Sequence, residues 1–256
     1  MMSLLTASSW PIAVFAVLVV LIAAVVRGYA GLGFSALCVA SLSFVLPMSA
    51  LVPVVLMLEV SASVLLLPSI WPDVRWRFVL GLTLSSVLAT PLGIVALTHF
   101  PASLVRGFVL VIIVFACVLL MRGFQLSGKQ PNWRIGLVGL FAGAVNAAGA
   151  VGGLIYGLFL MADGMPARAF RASLAMIFLL VDLCATLMMV QAGLITHHHL
   201  PWLGLLLVPL AVGLFIGSRL FSVASPEGFK RFVLCLLLFI ALVGIVTTLL
   251  TSEFAP

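Results

Sequence analysis

The feature that most constrains this chain is a recurrence of uncharged apolar runs, at residues 10–26, 78–98, 135–162 and 232–252. A helix needs about 20 such residues to cross the hydrocarbon core of a bilayer. Strands of a membrane barrel would instead alternate over segments of about ten residues, and that alternation is absent. Only 7% of the 256 residues are charged and 65% are hydrophobic, whereas a soluble domain carries about 25% charged residues. The chain reads as an all-α polytopic membrane protein with the lipid bilayer as its main surroundings.

The net charge of +6 is spread singly or in pairs at segment ends. Without a basic run, a nucleic-acid partner is not expected. No basic stretch of the kind that opens a cleavable signal precedes residues 10–26, so that run is expected to stay as a helix. Cys38, Cys117, Cys184 and Cys235 each stand alone in apolar sequence, without metal or redox spacing, and read as packing residues.

Ten apolar segments are expected: 10–26, 29–46, 51–70, 78–98, 106–121, 135–147, 150–162, 172–192, 201–222 and 231–250. Sorting the connections by alternate sides puts Arg27, Arg75, Arg77, Arg122, Lys129, Arg134, Arg168, Arg171, Arg219, Lys230 and Arg231 together, with Arg106 alone opposite. By the positive-inside rule the first side is cytoplasmic and both termini are external, in a multi-pass protein of the cell (inner) membrane. The bias survives only if the short pairs 10–46 and 135–162 are hairpins, and the second pair is short enough to be expected as re-entrant half-helices.

Shifted by about 123–124 residues, the chain resembles itself. "LEVSASVLL" at 58–66 lies over "VDLCATLMM" at 181–189, bringing Glu59 over Asp182, Ser61 over Cys184 and Ser63 over Thr186. The same shift brings Phe108 over Phe232, Gly93 over Gly217 and Gly28 over Gly152. Two repeats are expected, 1–122 and 135–256 around a cytoplasmic linker at 123–134, forming one transmembrane domain of about 8–10 helical segments. Each holds a short glycine-rich helical hairpin followed by three transmembrane helices. An odd count per repeat inserts the second half from the opposite side. Such inverted repeats are the architecture of many secondary transporters, with the substrate held near the midplane.

Glu59 and Asp182 lie mid-segment, where a carboxylate costs about 2.5–3.5 kcal/mol on insertion scales. Burial disfavours the charged form, so both are expected to carry a proton part of the time and to act in coupling. The alternative is a pair of acids that only hydrogen-bond across a helix contact. "RGYAGLGFSA" at 27–36 and "GAVNAAGAVGGLIYG" at 143–157 can turn backbone N–H groups toward a ligand, and half-helix N-termini favour anions. The candidate substrate contacts are Arg27, Tyr29, Gly31, Gly33, Ser35, Asn146, Gly149, Gly152, Gly153 and Tyr156. Against this stands plain helix packing through small residues and, for Arg27, a cytoplasmic anchor.

His99 and the run His197–His199 read as exposed loop, and Asp73, Asp163 and Glu227 as surface partners of nearby cations. No Ser-His-Asp, phosphate-loop or zinc-protease pattern points to an enzyme, and no motif implies a cofactor or a bound metal.

In its glycine-rich "GYAGLGFSALCVASLSFVLP" and "NAAGAVGGLIYGLFLMADGMPARAFRASLAM", and in the "DVRWR" turn at 73–77, the chain resembles the sulfite exporter TauE/SafE family of membrane permeases over nearly its whole length. The resemblance implies transport, often export, of small sulfur-containing anions such as sulfite, sulfonates, sulfoacetate or thiosulfate. The family's first hairpin usually carries a "GGG"-like run. Here it is "GLG", while the second hairpin keeps Gly152–Gly153. Two other readings follow from the residues alone: a cation transporter using Glu59 and Asp182 as ligands, and a non-transporting membrane scaffold. Homo-oligomerisation is left open.

Overall fold

The computed structural model describes residues 10–122 and 130–221, with residues 235, 238 and 242 as isolated positions. These residues build nine α-helices and no strand: α1 Trp10–Ala30, α2 Phe34–Leu42, α3 Met48–Ile70, α4 Trp76–His99, α5 Ala102–Met121, α6 Asn132–Gly149, α7 Gly152–Ala162, α8 Ala167–Gln191 and α9 Leu200–Phe221. The segment expected at 231–250 lies outside the described residues, as does Glu227.

Prolines start several of these helices. Pro47, Pro101, Pro131 and Pro166 stand immediately before α3, α5, α6 and α8, with φ between −55 and −70°. There the missing N–H has no helical partner to lose, and the fixed φ launches the helix. Interior prolines occur as well, at Pro53, Pro68, Pro91 and Pro209, which membrane helices tolerate where neighbours re-satisfy the backbone.

Among the described residues, six helices are long and apolar enough to cross a membrane: α1, most of α3, α4, α5, α8 and α9. The two shortest are different. α2 has 9 residues and α7 has 11, so at 1.5 Å per residue they rise about 14 and 16 Å, half of the roughly 30 Å hydrocarbon core. Both follow a break in the chain. Gly31 and Gly33 take φ of 79° and 95°, and Ala150 takes φ 55°, left-handed values that end one helix and let the next begin in a new direction.

This corrects the first hairpin drawn from sequence, which turned at Arg27. α1 instead runs through Arg27 to Ala30. A charge at the end of an apolar run looks like a loop residue, but here it is sheltered by neighbouring helices. Arg27 is therefore not a loop cation for the charge bias. The second break falls at Ala150–Val151, close to the expected position, with α6 starting three residues earlier than expected, at Asn132.

The most extensive packing joins α4 to α6 and α1 to α9, followed by α3 to α8. Glycine allows the approach. A Cβ at Gly93 of α4 would sit 2.7 Å from that of Ala147, and one at Gly28 of α1 would sit 2.6 Å from the Leu214 carbonyl oxygen of α9. The partners correspond: Gly93 rests on Ala144 and Ala147, Gly217 on Val25 and Gly28. Gly28 thus packs against Gly217 much as Ala147 packs against Gly93, while Gly152 opens α7. Apolar side chains cover the outside, including Leu84, Leu88 and Leu92 in one stripe of α4 at 67, 75 and 69% exposure, as a lipid-facing surface requires.

Candidate functional site

α3 packs on α8, and buried polar groups gather where they meet. Glu59 and Ser63 stand one turn apart on α3, hence on one face. Arg27, from the last turn of α1, reaches both. It forms an ion pair with Glu59 through Nη1 and donates from Nη2 to Ser63 Oγ at 2.8 Å. Its guanidinium lies 4.4 Å from the centroid of the Phe178 ring of α8. Arg27 and Glu59 are each 1% exposed. The hydroxyl and N–H of Ser35, in the first turn of α2, face the Glu59 carboxylate without closing well-aligned hydrogen bonds, and the Cys38 thiol lies near it.

Asp182 follows Phe178 by one turn on α8. Asn146 of α6 donates to its Oδ1 at 2.6 Å, while Oδ2 has no hydrogen-bond partner among the described residues. Glu59 and Arg27 are both near enough to act on Asp182 electrostatically, so the two acids and the arginine share one site. Beside them Tyr156 of α7 donates to Ser86 Oγ at 2.7 Å, and Ser86 donates to the Gly139 carbonyl at 2.9 Å, tying α7, α4 and α6. The Tyr156 and Phe178 rings meet edge to face at 6.4 Å. Gly153 leaves room for the Phe178 ring, and Gly152 for the Asn146 side chain.

The structure thus gathers Arg27, Ser35, Glu59, Asn146, Gly152, Gly153, Tyr156 and Asp182. It separates three others. Tyr29 turns toward α9, 6.3 Å from the Phe221 ring; Gly31 lies under the Arg171 side chain; and Gly149 packs on Val109 of α5. Gly33 caps the start of α2. Sequence reasoning missed Phe178 and Ser86 altogether and saw Ser63 only as a repeat position. The two acids are also not level: Glu59 is the twelfth residue of α3 and Asp182 the sixteenth of α8. By position within their helices, Phe178 is the twelfth residue of α8 and Ser63 the sixteenth of α3.

A second polar region opens near the start of α8. A cavity of about 320 Å³ is lined by Asp73, Arg168, Arg171 and Ser218 among others. Arg171 donates to the Gly28 carbonyl at 2.5 Å, one residue from Arg27. Asp163 faces Arg77, which opposes the upward push that partial burial gives its carboxyl. Among the described residues no three His, Cys, Asp or Glu side chains cluster as metal ligands would; His199 is buried and bonded back to Thr196.

A buried acid–base cluster at the meeting of two broken helices, inside a bundle of membrane-crossing helices, suits a solute path. The family model described as "Sulfite exporter TauE/SafE" matches residues 16–244. The chain belongs to the sulfite exporter TauE/SafE family. It is accordingly a multi-pass membrane protein of a transporter family, with the bilayer as its solvent. Comparison with curated proteins and with solved structures gave no match. The TauE/SafE match spans both helix breaks and all the clustered polar residues.

Proposed function

We propose that this TauE/SafE protein is a secondary transporter that exports small sulfur-containing anions, of the sulfite, sulfonate, sulfoacetate or thiosulfate class, together with protons. The observation that carries the reading is the pairing of buried Arg27 with Glu59, beside Asp182 and the first turn of α2. A cation and helix N–H groups at membrane depth favour an anion. Two ionised acids would repel it, so their protonation accompanies its passage. The engagement of Glu59 by Arg27 weighs against a cation transporter with these acids as ligands.

An inverted repeat supplies the alternating access. Helices α1 to α4 have 21, 9, 23 and 24 residues, and α6 to α9 have 18, 11, 25 and 22. Their packing is exchanged, α1 on α9 and α6 on α4, which supports two related halves rocking about the α3–α8 crossing. The basic connections face the cytoplasm and both ends of the chain face outward.

Flux of radiolabelled thiosulfate and sulfite into vesicles carrying the full chain tests the reading. Glu59→Gln and Asp182→Asn are expected to change its pH dependence; if both leave rate and pH profile unaltered, coupling through these acids is wrong.

A further inference from the structure

We propose that Glu59 is a built-in competitor for Arg27: in the proton-free state it occupies the place of the transported anion, and a proton from the aqueous phase displaces it. This rests on the anion-transport reading and adds the position of the anion and its exchange with a carboxylate. The anion would be a small oxyanion held by Arg27, the Ser63 hydroxyl and the N–H groups opening α2.

Three observations lead there. The Glu59 carboxylate lies between the Arg27 guanidinium and the first turn of α2, the two features that attract an oxyanion. Arg27 is 1% exposed and its Nε has no hydrogen-bond partner among the described residues, so the guanidinium has donor capacity beyond what Glu59 and Ser63 use. The charges also count against an anion while both acids are ionised, with one cation facing two carboxylates. Once both are protonated, Arg27 is the one charge left among these three. The titratable groups around Glu59 are Arg27 from α1, Cys38 from α2 and Asp182 from α8, with Tyr156 of α7 beyond Asp182. The exchange is a proton transfer to a Glu59 oxygen and a swap of ligands on Arg27; no covalent bond other than O–H forms.

Titration calorimetry of the purified full chain with thiosulfate and with sulfoacetate, both of which hold their charge between about pH 5.5 and about pH 8, reads this directly. In the wild type, uptake of about one to two protons per anion is expected, one of them at Glu59, with affinity falling at least about tenfold per pH unit at the alkaline end. Glu59→Gln should bind tightly, with about one proton fewer taken up and a correspondingly shallower pH slope. Arg27→Gln/Glu59→Gln, which removes both charges and leaves no buried ion unpaired, should lose binding. Zero proton uptake by the wild type overturns the proposal without any variant. So does a pH slope and proton uptake unchanged in Glu59→Gln, a double variant that still binds, or absence of binding to wild type and Glu59→Gln alike. Anion flux with pH-flat affinity would keep the transport reading and sink this one.

Discussion

At the scale of the residue, Arg27 decides the character of the molecule. A charge this deep in a membrane protein persists only when paired, and Glu59, Ser63 and the Phe178 ring meet that need together. Breaking one side of a buried ion pair costs about 3–5 kcal/mol, whereas replacing both partners by apolar groups is often neutral or stabilising. We therefore expect Arg27→Met and Glu59→Leu each to lower the melting temperature in detergent, and the double variant to recover most of the loss. Equal, additive losses would mean the two do not act as a pair. The acids were legible in the sequence because a central carboxylate is expensive in any arrangement. The role of Arg27 was only half legible, since an arginine at the edge of an apolar run has the pattern of a loop anchor. Phe178 and Ser86 were not legible at all. Nothing local to α8 or α4 says which neighbour it meets.

At the scale of the element, the glycines divide by what they face. Gly143 of α6 rests on the backbone of Ser86, the residue that receives the Tyr156 hydroxyl, while Gly136 on the same helix faces open space. A valine at 143 must push α6 away from α4, at a cost of about 1–3 kcal/mol or more. Gly136→Ala adds a methyl group that meets nothing and gains up to about 1 kcal/mol of helix propensity. Melting curves of the two variants should thus move in opposite directions; a Gly143→Val protein as stable as the wild type would deny the close α4–α6 contact. The existence of most helices followed from their apolar length. The lengths of α1 and α2 did not, because the break depends on backbone conformation at Gly31 and Gly33 rather than on hydropathy.

At the scale of the whole molecule, the repeat proposed from the sequence shift needs more than one shift. The connection between α3 and α4 is shorter than that between α8 and α9, so two related halves would align differently before and after it. On that proposal Gly93 pairs with Gly217, Gly28 with Ala147, and the two acids stand a turn apart. The asymmetry would then have a functional sense: one half would contribute the Arg27–Glu59 pair and the other the Asn146–Asp182 pair, where α3 packs on α8. Proton-linked movement of a small anion through that region is the central claim. It is tested most directly in vesicles that hold the full chain and a trapped pH-sensitive dye, with an inward thiosulfate gradient and no pH gradient at the start. The account predicts that the interior acidifies as thiosulfate enters and that Glu59→Gln abolishes or strongly reduces the acidification. Thiosulfate entry with an unchanged or rising internal pH would contradict it.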